Sequence, residues 1–251
     1  MSNIIPLLDE MRPITDKDSS YEYDGIKVPR VTHILSKCIH SDSLMYWANS
    51  LGFKRMSYRR TINSAANIGS ICHNAIDFFL ENEDEPEIDD IPMESWYAYE
   101  SFCKWYNYLI SQNDVKIIFH EKTLICKYFG GTLDGLYEIN GKIYLVDYKT
   151  SNHVTYKYFL QLAAYRYMLR IVLGIEIDGC IVLQLSKTSL SYNEYVLNFV
   201  IPDHLKFINE CETAFLSLVF AYYNITHIET RFNKMDWEVG IGGHEFDSKN
   251  G

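Results

Sequence analysis

The sequence predicts an α/β fold, a mixed central β-sheet flanked by helices, from three observations. Alternating apolar residues on either side of Asn140-Gly141 mark a pair of strands joined by a tight turn. Apolar residues at helical spacing bracket that pair, at 68–80 before it and at about 156–173 after it. Two further strand-like runs, 180–185 and 192–200, follow the second helical stretch. Helix, three strands, helix and strand in this order imply helices on both faces of a mixed sheet.

Taken along the chain, residues 21–28 read as a short hairpin around Asp24-Gly25, followed by Pro29 and a helix that Thr32 can cap. Ile68, Ile71, Cys72, Ala75, Ile76, Phe79 and Leu80 form a buried helical stripe, with Gly69, His73 and Asp77 on the neighbouring stripe. The acidic run ENEDEPEIDD, 81–90, reads as a solvated loop between helices. A second helix spans about 94–111, its Trp96, Trp105 and Tyr106 packing as a lid or outer layer. A strand at 115–126 places Glu121 on one face with Val115, Ile117, Phe119 and Ile125, either as part of a site or where the strand emerges into solvent.

The central hairpin carries the chemistry. In the strand from Phe129 to Ile139, Asp134 lies opposite the larger apolar row of Phe129, Leu133, Tyr137 and Ile139. In the strand 142–149, Asp147 and Lys149 are two residues apart and share a face with Ile143 and Leu145. Two carboxylates and an ammonium thus converge across one turn. Buried, the carboxylates need a cation or hydrogen bonds to stay ionised, and Mg²⁺ or Mn²⁺ satisfies both. Exposed, Asp147 and Lys149 make a surface ion pair worth little. After them a helix runs from about Tyr156 to Leu173, and beyond the strands at 180–185 and 192–200 Pro202 opens a last helix to about Tyr223.

Gly131-x-x-Asp134, then Asp147-x-Lys149-Thr150, then Gln161-x-x-x-Tyr165, with Gly69-x-x-x-His73 upstream, resembles the PD-(D/E)XK nuclease superfamily, in its RecB-like exonuclease branch. The resemblance spans about Tyr21 to Val200, and YEYDGIKVPRVTHIL looks like the N-terminal segment of phage exonucleases and of the mitochondrial genome maintenance exonuclease. Leu133 stands where the superfamily name has proline, and Asp77 where many relatives carry glutamate. The resemblance implies a PD-(D/E)XK core and a Mg²⁺- or Mn²⁺-dependent deoxyribonuclease acting on ends of linear, single-stranded DNA in replication, recombination or repair, alongside a protein partner of that machinery. Asp134, Asp147, Lys149 and Glu121 are then catalytic. His73, Asp134, Asp147 and the carbonyl of Tyr148 are then metal ligands. Gln161, Tyr165, Thr150 and Gly69 are then at the substrate, or Gln161 and Tyr165 serve the packing of helix on sheet. A structure-specific or restriction-type endonuclease, and a non-catalytic DNA-binding subunit, are the alternatives on the same core.

Composition bounds the rest. At 251 residues and 47% hydrophobic the chain has material for a sizeable core, expected as one domain at 1–238. Within it a nuclease core at about 64–200 follows an N-terminal helical elaboration, and 239–251 reads as a flexible tail. No apolar run approaches the roughly 18 residues of a membrane span, and no secretory signal is legible, so a cytoplasmic setting is expected, the host's for a phage-encoded chain. Cys38, Cys72, Cys103, Cys126, Cys180 and Cys211 contain no C-x-x-C pair, so no iron–sulfur cluster is expected. The net charge of -10 runs against nucleic-acid binding as a bulk property. FKRMSYRR, 53–60, is the local exception, as plain surface or as a phosphate-guiding entrance.

Overall fold

A computed structural model describes residues 21–39, 42–86 and 91–235. The reading of 239–251 as a tail lies outside the described residues, as does the last part of the acidic run 81–90. A five-stranded mixed sheet carries the fold: β3 (Val115–Ile125), β4 (Gly130–Ile139), β5 (Lys142–Lys149), β6 (Gly179–Leu185) and β7 (Tyr192–Asn198), side by side in that order. Only β5 and β6 are parallel, the other neighbours antiparallel. That parallel pair requires a crossover, which α5 (Tyr156–Met168) and a following π-helical turn (Leu169–Leu173) supply. Gly174, at φ 68°, ends the turn.

Helices cover both faces. On one side α3 (Tyr58–Asn82) and α4 (Met93–Gln112) bury Cys72, Ile76, Tyr99, Phe102 and Trp105 against Tyr137, Val146, Tyr148 and Leu183. On the other, α1 (Val31–Cys38), α5 and α6 (Pro202–Phe232) pack on Leu124, Leu133, Leu136, Leu145 and Val182. The central part of α5 lies between sheet and α6, so Leu160 through Met168 are buried without interruption. Helix α2 (Asp42–Phe53) precedes α3, and the basic segment between them is exposed from Phe53 to Arg60.

The N-terminal hairpin, β1 (Tyr21–Tyr23) and β2 (Ile26–Val28), turns at Asp24 and Gly25, both at positive φ. It docks at the start of β4, where Gly130 N–H donates to the Pro29 carbonyl at 3.0 Å and Arg30 bridges Gly130. This attachment replaces the expected cap. Helix α1 starts at Val31 after Arg30 with no side-chain cap, and Thr32 lies inside its first turn.

Three further expectations are corrected. The face assigned to Val115, Ile117 and Phe119 is split by a register shift between Ile117 and Phe119: Val115 and Ile117 pack toward α3 and α4, Phe119 toward α5. One inserted residue inverts the alternation of everything after it. The apolar row of β4 divides likewise, Leu133 packing toward α5 and Tyr137 toward α4, because the β3–β4 ladder skips Glu121 and Asp134. Last, α6 runs to Phe232 rather than Tyr223, since no glycine or proline interrupts it and Asn224, Thr226 and Thr230 bond back to carbonyls one turn earlier.

Candidate metal centre

The site forms where the sheet opens. The β4–β5 ladder ends at Gly135 and Val146, and the Asp134 carboxylate takes the next bond, accepting from Tyr148 N–H at 2.7 Å through Oδ2. Asp134 is thereby fixed at the splitting point of two central strands and is 9% exposed. Asp147, on the adjacent strand, is 1% exposed. Lys149 Nζ stands 2.7 Å from Asp147 Oδ2 and over the Tyr158 ring, so the exposed ion pair is the reading that the burial discards.

His73 reaches this point from α3. Its Nε2 lies 3.1 Å from the Tyr148 carbonyl, which can only accept, so Nε2 carries the proton and Nδ1 faces the acids. Nδ1 is 3.3 Å from Asp134 Oδ1 and 3.8 Å from Glu121 Oε1. Glu121 gets there by an unusual backbone. Its φ is +43°, a left-handed conformation that costs a non-glycine residue about 1–3 kcal/mol and that recurs at functional sites. Strict alternation after the bulge would send Glu121 the way of Phe119. The irregular step instead brings its carboxylate beside α3.

Electrostatics follow from burial and neighbours. Burial pulls the His73 imidazole down, but the Asp134 charge and the hydrogen bonds that His73 donates to Asp134 and Glu121 overcome it and lift the group to about 10. Burial pushes the Asp134 carboxyl up, and His73, Lys149 and the Tyr148 N–H reverse this and hold it below the ordinary carboxylate value. Asp147 is the opposite case: burial pushes it up to about 6, Lys149 opposing and Asp134 adding. Burial disfavours the Lys149 charge, yet Asp147 and Asp134 keep the ammonium above its ordinary value, and it stays protonated.

Ligand atoms of His73, Glu121 and Asp134 lie within 4.8 Å of one another, the compass of one metal ion. Asp147 stands outside that group. Lys149 is its partner through Oδ2, and Oδ1 has none among the described residues. Two carboxylates, one imidazole and an under-satisfied buried acid fit a hard divalent cation. The Nε2–H to carbonyl bond is the outer-shell contact that orients a ligating histidine, and it occupies the Tyr148 carbonyl.

The remaining motif residues surround this group. Gln161 Nε2 donates to Tyr165 Oη at 2.9 Å, both buried on α5. The Tyr165 ring lies so close over β4 that a Cβ on Gly131 would stand 2.5 Å from it, which accounts for glycine there. A Cβ on Gly69 would meet Thr150 Oγ1 at 3.4 Å, so α3 passes the end of β5 at this glycine. Asp77, one turn beyond His73, contacts His120 instead of joining the group of three. His120 was not singled out in the sequence, although its place beside Glu121 was a signal. Also unanticipated, Tyr137 and Tyr148 share a hydroxyl contact of 2.5 Å under the site, and Tyr21 reaches Thr132 at 3.0 Å.

Comparison with known protein families gives no match, and no curated protein matches either. Among solved structures the chain is similar to a phage related exonuclease from Haemophilus somnus 129PT, at 9% identity over 65% of this chain and 83% of that one, with a TM-score of 0.33. It is also similar to LHK-Exo in complex with dAMP, at 14% identity over 65% and 85%, with a TM-score of 0.31. Likeness at this level fixes neither activity nor substrate. No helix among the described residues is long and apolar enough to cross a membrane.

Proposed function

We propose that the chain is a metal-dependent nuclease that hydrolyses phosphodiester bonds, and within that class a deoxyribonuclease working from the ends of single-stranded DNA. One observation carries the reading: buried Asp134 and Asp147 flank the opened sheet between a protonated lysine and a histidine whose Nδ1 faces carboxylates. A binding module has no need for so costly a cluster. His73 Nδ1, Asp134 and Glu121 would hold the ion, with Asp147 beside it. When bound, Mg²⁺ or Mn²⁺ supplies Lewis acidity to the phosphate and acidifies water.

The chain's own residues do the rest. Lys149 enters as an ammonium, so its part is to orient a water or neutralise charge growing on the phosphate, and a proton must be taken by another group. Asp147, raised to about 6, is ionised at neutral pH and shares the Lys149 charge. Gln161 and Tyr165, bonded to each other, hold α5 against the β4 end of the site. The preference for ends and single strands is supported by the motif resemblance and by the exposed basic segment at 53–60. Replication, recombination or repair is the setting this implies. Tyr99, Phe102 and Trp105 are buried in the core and offer no stacking face to a base.

The test is digestion of an end-labelled linear strand, single or double, beside a covalently closed single-stranded circle, with Mg²⁺ or Mn²⁺. Shortening of the linear single strand with survival of the circle is expected. Cutting of the circle would replace the exonuclease with an endonuclease, and binding without cleavage would leave a recognition subunit.

A further inference from the structure

Beyond Lys149 the polar surface continues across the sheet. Strands β5 and β6 run parallel and end together, Lys149 opposite Gln184, and ligands of α/β sheets settle outside such carboxyl ends. Here Ser151 and Asn152 after β5, Gln184, Ser186, Lys187 and Asn193 line a cleft of about 260 Å³. It lies below the roughly 300–1,000 Å³ of pockets for drug-sized ligands, a space suited to one base or sugar with its phosphate.

The cleft is built rather than incidental. Gln184 shares the α5-facing side of the sheet with Val182, the partner of Asp147, so the cleft and the acids open on one face. Its amide is held on both sides: Nε2 donates to the Ser151 carbonyl at 2.8 Å, and Oε1 accepts from Asn193 Nδ2 at 3.2 Å and from Tyr195 Oη at 3.5 Å. That network fixes the Asn193 amide and leaves its carbonyl oxygen uncommitted among the described residues. The loop from β6 to β7 is pinned from behind by α4, where buried Ser101 Oγ accepts from Ser191 N–H at 3.1 Å and Lys104 donates to the Leu190 carbonyl at 3.1 Å. Lys187, the cleft's one cation, has no carboxylate partner among the described residues, and no carboxylate lines the cleft.

We propose that this cleft seats one nucleotide of the substrate strand next to the scissile phosphate, Lys187 on its phosphate and the Asn193 amide on its base or sugar. The proposal rests on the nuclease reading for the identity of the strand. The uncommitted Asn193 carbonyl oxygen can accept from a base amino group or a sugar hydroxyl, and a lone lysine suits a phosphate as a point charge.

Binding of a 5′-labelled single-stranded DNA oligonucleotide, followed by fluorescence anisotropy in EDTA across a salt series, tests it without cleavage. Lys187→Ala is expected to weaken binding about tenfold and to reduce the slope of log K against log salt by about 0.7, the loss of one phosphate contact on a single strand. Lys187→Arg should restore the slope. Asn193→Ala should weaken binding with the slope unchanged, because an amide releases no counterion. Unchanged affinity and slope in Lys187→Ala and Asn193→Ala would overturn the cleft and leave the nuclease reading standing. A wild type that neither binds nor cuts the strand would overturn both. Binding without cutting in Mg²⁺ or Mn²⁺, with the variants behaving as expected, would keep the cleft and remove the hydrolase.

Discussion

Two buried charge clusters sit in this molecule, and they are finished differently. Between α5 and α6, Glu212 is 1% exposed and accepts from Arg166 at 3.2 Å and from Arg170 at 2.6 Å, Arg166 also donating to Asn209. Both carboxylate oxygens of Glu212 are bonded, and Arg166 Nε alone in this cluster is buried without a partner among the described residues. At the open end of β4 and β5, Asp147 is equally buried and meets Lys149 at 2.7 Å through Oδ2, but its Oδ1 has no partner among the described residues, and the ligand atoms of His73, Glu121 and Asp134 lie within 4.8 Å of one another beside it. A closed cluster holds two helices together. An open one gathers carboxylates and an imidazole around a point that a cation can enter, and the comparison turns on that difference.

Removing charge at the open cluster should therefore destroy activity while sparing the fold. Asp134→Asn and Asp147→Asn are each expected to lower the cleavage rate by three to four orders of magnitude, ~4–5.5 kcal/mol of transition-state stabilisation. Circular dichroism should be unchanged. A variant retaining more than about a tenth of the rate, a loss under ~1.4 kcal/mol, would refute the assignment.

The same substitution at the closed cluster should do the reverse. Glu212→Gln leaves two guanidinium groups without their carboxylate, a loss of about 3–5 kcal/mol for a buried pair broken on one side. Urea titration should show the drop, and cleavage by the surviving folded fraction should remain near wild type. Stability within ~1 kcal/mol of wild type would show that the cluster is exposed in solution and would break the comparison.

The open cluster also carries a pH signature in EDTA. With His73 at about 10 in the folded state against 6.5 unfolded, its stabilising contribution is complete below pH 6.5 and is lost as pH rises through 10. Asp147 is raised from 3.8 to about 6, so its contribution has already been lost above that range and is constant in this window. The stability advantage of wild type over His73→Gln should shrink steadily between pH 6.5 and 10. Urea midpoints for the two proteins at half-unit steps measure it, and a constant gap would mean that Asp134 and His73 do not interact as an ion pair.

How much of this was legible in the sequence depended on local rules. The β4–β5 hairpin, with Asn140 and Gly141 both at positive φ, and the shared face of Asp147 and Lys149 follow from turn chemistry and period-two alternation, which need no tertiary information. The helix carrying His73 followed from its apolar stripe. What alternation could not foresee is its own failure. The register shift after Ile117 and the left-handed Glu121 are set by how β3 pairs with β4 across the chain, and no composition of the strand signals them. The closed Glu212 cluster was invisible for a similar reason: Arg166 and Glu212 are 46 residues apart and meet only when α6 folds back on α5. His120 is next to Glu121 in the chain, but its partner Asp77 is on another element.

The smallest expected effect sharpens the comparison at the edge of the open cluster. Gly69 sits inside α3, where glycine costs about 1 kcal/mol relative to alanine, and a Cβ there would meet only Thr150 Oγ1, at 3.4 Å within the region described. Little stands in the way, so Gly69→Ala should stabilise the protein by about 0.5–1 kcal/mol, a rise of roughly 1–2 °C in Tm. If the narrow space between α3 and Thr150 serves only packing, kcat/KM should not change. If it admits the substrate, as the motif resemblance implies, the added methyl should lower kcat/KM several-fold while Tm still rises, and the gain in one quantity against the loss in the other is the expected result. Differential scanning calorimetry and initial rates on the same preparation measure both. A stabilised variant with unaltered kcat/KM would confine Gly69 to the packing of α3 and draw the boundary of the open cluster at His73.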